Sequence, residues 1–121
     1  MLILNHKILE KLEILEAKNI EQIQNSLPKV FLVLRDLQLA KYCFENAIPY
    51  NAFVENSTKA LFFVNLGVKN LITKDLDFAK ELQDLAEKYL FDCKILLAIK
   101  EENAIKKAAK CGIDGVIFWG K

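Results

Sequence analysis

Residues 30–34 read Val-Phe-Leu-Val-Leu, five consecutive apolar side chains with no polar residue between them. A strand of this kind is apolar on both faces, which is typical of a parallel sheet covered by helices. Similar short apolar runs follow along the chain at 52–54, 68–73, 93–99 and 113–119. The sequence therefore predicts about five buried strands.

Helical patterns alternate with these runs, at about 37–46, 57–66, 76–90 and 101–111. Polar residues suited to N-capping precede or begin three of them, namely Asp36, Ser57 and Asp75. Strands that alternate with helices are joined by right-handed crossovers, which gives a parallel sheet. We therefore expect one α/β domain over residues 1–121, with three layers and an open sheet of the flavodoxin or Rossmann type.

The N-terminal segment predicts a helix. Within residues 6–18, Ile8, Leu12 and Leu15 have helical spacing and are separated by Lys and Glu. Asn19 followed by Gln22 is typical of an N-cap with its N3 amide, so we expect the helix to break there, restart and end at Pro28. This helix would cover a face of the sheet.

Three segments, 47–53, 67–73 and 112–118, share the order of a helix end, a small residue and a strand start. The simplest interpretation is that three helix-to-strand junctions obey the same turn rules. The phrase Gly-Ile-Asp-Gly-Val-Ile at 112–117 also resembles the βα units in the second half of a TIM barrel. Because five strands cannot close an eight-stranded barrel, the alternative to the open sheet is a half-barrel that pairs with a second copy.

Composition narrows the function classes. The chain has 121 residues, 53% of them hydrophobic, and a formal net charge of +1. Sixteen of its 17 basic residues are Lys, and near-neutral charge argues against a nucleic-acid or membrane-surface binder. No stretch reaches the length of a membrane span or resembles a signal peptide, so a cytoplasmic location is expected. Abundant Lys, Asn, Ile and Leu with a single Arg suggest an AT-rich bacterial genome.

The residues that usually bind metals are dispersed. Cys43, Cys93 and Cys111 form no Cys-x-x-Cys pair, so each is interpreted as a core residue in a reducing compartment. His6 is the only His and is interpreted as a surface or capping residue. We therefore predict no metal site.

Phosphate-binding glycine motifs are also missing where they would be needed. No Gly-x-Gly-x-x-Gly follows the first buried strand, where Leu-Arg-Asp-Leu-Gln-Leu stands at 34–39. The Gly-x4-Gly-Lys match at 115–121 consists mostly of apolar strand and lacks the Ser/Thr of a P-loop. We therefore predict no cofactor.

Ligands of open α/β sheets bind at the carboxyl ends of the strands. Those ends carry a polar rim, predicted here to bind a small polar or anionic ligand: Arg35, Asp36, Glu55, Asn56, Ser57, Thr73, Lys74, Asp75 and Lys100. In a catalytic interpretation, Lys74 or Lys100 would stabilise charge. Asp36, Asp75 or Glu55 would then act as general acid or base.

Residues 57–66 are apolar almost all round, which predicts a surface that a partner covers. Phe62, Phe63 and Trp119 are the predicted interface residues, and a homodimer is the simplest assembly. Coverage by the N-terminal helix is the alternative. The favoured function is a non-catalytic binding or interaction module that self-associates, and the alternative is a minimal enzyme for a small anionic substrate.

Overall fold

The computed structural model describes residues 1–26 and 28–120. In that part of the chain the strands are β1 (Leu2–Leu4), β2 (Ile14–Glu16), β3 (Phe31–Leu34), β4 (Asn51–Phe53), β5 (Asn70–Thr73), β6 (Lys94–Ile99) and β7 (Gly115–Phe118). The helices are α1 (Ile20–Gln24), α2 (Leu37–Glu45), α3 (Ser57–Asn65), α4 (Leu76–Tyr89) and α5 (Asn103–Lys110). All strand pairs are parallel, and the order in the sheet is β1-β7-β6-β5-β4-β3-β2. The predicted α/β class with a parallel sheet is confirmed.

The sheet curls into a half-barrel, which was the alternative to the open three-layer sheet. From β3 to β7, each strand lies beside the one that precedes it in sequence. Because βαβ crossovers share one hand, this order places the helices on the same side of the sheet. The buried side chains of the inner face accordingly all come from strands: Val33, Phe53, Ile72, Leu96, Ala98 and Ile117. Leu12 and Trp119 pack against them from outside the strands.

The described residues form seven strands where the sequence predicted about five. The predicted helix over residues 6–18 is wrong, because residues 14–16 form β2 in register with β3, Leu15 opposite Leu32. Ile8, expected on the buried face of that helix, is instead 80% exposed. Residues 2–4 form β1, which pairs with β7. Backbone pairing with distant strands therefore outweighs the local helical pattern.

Most of the predicted helix caps are confirmed. The Asn19 side chain accepts from the Gln22 amide at 2.9 Å, and α1 begins there. Asp36 and Asp75 cap α2 and α4. The cap of α3 is Asn56, whose side chain accepts from the Lys59 amide, so Ser57 is the first residue of that helix rather than its cap.

The three similar junctions share one backbone conformation. Ala47, Gly67 and Gly112 have φ angles of 54°, 71° and 72°, all in the left-handed region. Each residue turns the chain from a helix end toward the next strand. The turn-rule interpretation of the repeat is confirmed.

Buried polar side chains at the amino end of the sheet bond to each other and to backbone. Asn51 Nδ2 donates to Leu32 O at 2.9 Å, and Asn70 Nδ2 donates to Asn51 Oδ1 at 2.7 Å. These bonds satisfy the buried amides and fix neighbouring strands against one another. Among the described residues, no helix has the length and apolar character required to cross a bilayer.

Candidate functional site

A cleft of about 720 Å³ opens over the carboxyl end of β6. Its walls come from the residues that follow β5 and β7 and from the first turns of α5. This volume lies in the range of small-molecule sites, and the carboxyl ends of barrel strands are where such sites occur. Its described lining is Lys74, Leu76, Leu97, Ala98, Ile99, Lys100, Glu101, Asn103, Ala104, Lys107, Trp119 and Gly120.

The charged side chains of the cleft are mostly cationic. Lys74, Lys100 and Lys107 line it together with a single carboxylate, Glu101, so three positive charges face one negative charge. Among the described residues, none of these lysines has a carboxylate within 4.0 Å. Their ammonium groups are therefore available to an anion.

The amino terminus of α5 adds a further positive field. Side chains of Asn or Asp cap α1 to α4, whereas no side chain in the described chain caps α5. The first-turn amides of Ala104 and Ile105 donate to the carbonyls of Glu101 and Glu102 at 3.2 and 3.1 Å. Since a helix N-terminus favours negative charge, its dipole complements the lysines.

His6 positions the residue at the N-cap of α5. Its Nδ1 accepts from the Ile8 amide at 3.1 Å, and its Nε2 lies 2.6 Å from Glu102 Oε1. The hydrogen bond and the charge of His6 lower the pKa of Glu102. The ring also meets Phe118 edge-on, with centroids 4.9 Å apart. His6 therefore ties the β1–β2 connection to the helix that borders the cleft.

An aromatic and ionic cluster extends from the cleft toward β3 and β2. The Trp119 and Phe53 rings pack edge to face, with centroids 5.9 Å apart. The Arg35 guanidinium lies 4.2 Å from the Phe53 centroid, and its Nε donates to Glu16 Oε1 at 2.9 Å. Arg35 also lies 3.6 Å from a Glu55 oxygen. These contacts fix the inner border of the cleft.

Two of the nine predicted ligand residues, Lys74 and Lys100, meet in this cleft. Arg35 and Glu55 pair with each other outside its lining. Asp36, Asn56 and Asp75 are occupied as helix caps. Thr73 is buried, and its hydroxyl accepts from the Asp75 amide at 3.4 Å, while Ser57 faces a groove between α3 and α4.

Sequence reasoning missed Lys107 and Glu16. Lys107 lies in the interior of a helical pattern, but it is four residues after Asn103 and so shares a helix face with the first turn. That spacing was a usable signal. Glu16 was assigned to a helix that does not form, and no local signal placed it beside Arg35.

The predicted interface residues lie in different environments. Phe63 is fully buried, with its ring 6.4 Å from that of Tyr50, so its assignment to an interface is wrong. Phe62, the preceding residue on the helix, is 56% exposed. Trp119 contacts Phe53 and lines the cleft.

No protein-family model and no curated protein sequence matches the chain. Among the described residues, no group of three or more His, Cys, Asp or Glu side chains could hold a metal ion. Cys43 and Cys93 are buried free thiols, and burial raises the pKa of Cys93 to about 11. Cys111 is partly exposed.

Proposed function

We propose that the protein is a binding module for a small anionic ligand, which occupies the cleft at the carboxyl end of β6. The observation that carries this proposal is the convergence of Lys74, Lys100 and Lys107 on one cleft, with no described carboxylate within ion-pair distance of any of them. Like charges brought together cost free energy, and a bound anion offsets that cost.

A phosphate-type dianion fits this charge best. Three lysines and one glutamate give the cleft a net charge of about +2, and the positive end of the α5 dipole adds to it. A dianion brings the net charge of these four side chains to zero. A monoanion leaves one positive charge without compensation.

Binding is better supported than catalysis. Asp36 and Asp75, two of the acids assigned to a catalytic role, cap helices, and Glu55 lies beside Arg35. Glu101 is the one acid among the described lining residues. An enzyme at this site would therefore have to use Glu101 with the lysines as its proton-transfer groups.

Titration of the protein with inorganic phosphate tests the proposal. Trp119, the single tryptophan of the chain, lines the cleft, so its fluorescence reports occupancy. Replacing Lys74, Lys100 and Lys107 together with Gln should weaken binding by roughly tenfold to a hundredfold, since each exposed ion pair contributes up to about 1 kcal/mol. Added salt should weaken wild-type binding.

The matched control replaces Lys11, Lys29 and Lys41 with Gln, which removes the same charge from exposed positions outside the cleft. Its affinity for phosphate should stay within about twofold of wild type, because the removed charges are screened by solvent. Equal losses of phosphate affinity in the two triple variants would show that only the net charge of the protein matters, and would contradict the proposal. A wild-type protein that does not bind phosphate would overturn it.

We also propose that the chain forms a homodimer through exposed apolar side chains of α2 and α3. Phe44 and Phe62 are each more than half exposed, and Leu66, one turn beyond Phe62, lines a groove with Phe44. Burying large apolar side chains of this kind favours association.

Sedimentation velocity tests the dimer. The wild-type protein should sediment with twice the mass of the monomer, and Phe62→Lys should shift it to the monomer. Leu90→Ser is the control, because Leu90 is exposed at the end of α4 outside this groove. A monomeric wild-type protein would refute the proposed assembly.

A further inference from the structure

We infer that the ligand of the cleft carries a flat aromatic ring beside its anionic group, and that Trp119 binds this ring. The inference rests on the proposed function, because it names the class of anion that the same cleft takes. It follows from the position of the indole, from the surroundings that fix it and from the apolar share of the cleft.

Trp119 is fixed at both its backbone and its ring. Its amide donates to Ile99 O at 3.1 Å, which continues the pairing of β7 with β6. Its indole packs against Phe53, a buried residue of β4. Because the side chain is positioned in advance, a ligand that packs on it loses little free energy to ordering.

Phe53 is itself clamped from a second direction. The Arg35 guanidinium lies 4.2 Å from its ring centroid, and Arg35 is anchored by its hydrogen bond to Glu16. The cluster Glu16–Arg35–Phe53–Trp119 thus runs from β2 to the cleft, with Trp119 as its last member. A chain of side chains fixed in this way provides a rigid apolar wall rather than a mobile one.

The cleft is also too large and too apolar for a simple anion. Its volume of about 720 Å³ greatly exceeds that of a phosphate group, and Leu76, Leu97, Ile99 and Ala104 line it together with Trp119. Leu97 and Ile99 are already buried. A phosphate at the lysines would leave the partly exposed Leu76, Ala104 and Trp119 facing water. A ligand that also carries an apolar body would bury them, which is favourable.

An aromatic body suits the indole better than an aliphatic one. Aromatic rings pack edge-to-face or offset-stacked against each other and gain about 0.5–1.5 kcal/mol beyond area burial, which corresponds to roughly twofold to tenfold in affinity. The lysines at the same cleft then bind the anionic substituent of that ring. The class of ligand is therefore an aryl phosphate or a compound with the same pairing of ring and dianion.

Calorimetric titration with three phosphate monoesters tests this inference. Phenyl phosphate and cyclohexyl phosphate have the same charge and similar size, and methyl phosphate lacks the ring. On the wild-type protein, phenyl phosphate should bind roughly threefold to tenfold more tightly than cyclohexyl phosphate and more tightly still than methyl phosphate.

Variants of Trp119 assign the effect to its indole. Trp119→Leu should remove the preference for phenyl over cyclohexyl phosphate. Trp119→Phe should retain part of the preference. The comparison of esters on the unaltered protein is decisive even where Trp119→Leu fails to fold.

The outcomes separate the two proposals. Equal affinities for phenyl and cyclohexyl phosphate, with phosphate still bound at the lysines, would overturn this inference and leave the proposed function standing. A preference for phenyl phosphate that persists in a folded Trp119→Leu protein would also overturn it. Absence of binding by phosphate and by all three esters would overturn the proposed function and this inference with it.

Discussion

Glu16 is a largely buried carboxylate at the end of β2, where it neutralises two cations. Its Oε1 accepts from Arg35 Nε at 2.9 Å, and its Oε2 lies 2.8 Å from Lys18 Nζ. Burial alone would raise the pKa of this carboxyl, but the hydrogen bonds and charges of Lys18 and Arg35 outweigh that effect and lower it below the ordinary 4.5. Glu16 thereby fixes Arg35 over Phe53.

This environment predicts how the contribution of Glu16 to the stability of the fold depends on pH. Because the folded-state pKa lies below the unfolded one, ionised Glu16 stabilises the protein above about pH 4.5, and this stabilisation is lost as the pH falls through the folded pKa. Glu16→Gln should cost about 1 kcal/mol of unfolding free energy near pH 7. The difference from wild type should shrink steadily below about pH 4.5.

Urea denaturation at several pH values measures this difference. Glu45→Gln is the control, since Glu45 is exposed and has no ion pair within the described chain. That variant should match wild type throughout. A constant gap between Glu16→Gln and wild type down to acidic pH would contradict the assigned role.

At the scale of elements, the helix-to-strand junctions are the repeated unit of the fold. Gly67 and Gly112 adopt nearly the same left-handed backbone after α3 and α5, but their surroundings differ. A Cβ at Gly67 would lie 3.0 Å from Phe44 Cδ1, whereas a Cβ at Gly112 would meet no atom within 4 Å. Alanine substitutions at these two glycines therefore separate the cost of backbone strain from the cost of crowding.

Gly112→Ala should therefore cost about 1 kcal/mol through backbone strain alone. Gly67→Ala should cost roughly 0.5–1 kcal/mol more, because Phe44 must also move. Ala47→Gly should act in the opposite direction and stabilise the protein slightly, since Ala47 already has a positive φ. Thermal unfolding of the three variants measures these changes, and equal costs at Gly67 and Gly112 would show that Phe44 does not constrain the turn.

At the scale of the whole molecule, β1 joins the sheet through one close approach. Leu2 lies opposite Gly115 of β7. A Cβ at Gly115 would stand 2.7 Å from Leu2 O and 2.8 Å from Leu2 Cβ, so only glycine lets the two strands meet. The pairing of β1 with β7 therefore depends on Gly115.

Gly115→Ala should displace β1 and cost about 1–3 kcal/mol of unfolding free energy. Amide hydrogen exchange should then accelerate in residues 2–4 while β5 and β6 stay protected. Gly120→Ala is the matched control, because a Cβ there meets nothing within 4 Å. Equal stability and exchange in the two variants would show that the approach of β1 to β7 does not need glycine.

Some residues of the candidate site were predictable from the local sequence, and others were decided by the tertiary structure. Lys74 and Lys100 were predictable, because each directly follows a buried strand and the carboxyl ends of parallel strands share one edge. The selection of these two from nine candidates was not predictable, since Asp36 and Thr73 also lie near the carboxyl ends of strands. In the structure, Asp36 caps a helix and Thr73 is buried. Trp119 was predicted as an interface residue. In the structure it lines the cleft, because the curl of the sheet brings it to Phe53.

The sequence by itself determined the α/β class, the five buried strands from β3 to β7 and most of the helix caps. Each of these depends on residues that are close neighbours along the chain, in a continuous apolar run or a capping side chain. Only the tertiary structure decided the strands at residues 2–4 and 14–16, the half-barrel and the membership of the cleft. β1 and β2 are specified by backbone hydrogen bonds to β7 and β3, and the direction of each crossover is set by which strand lies beside which, so neither is written in a local pattern.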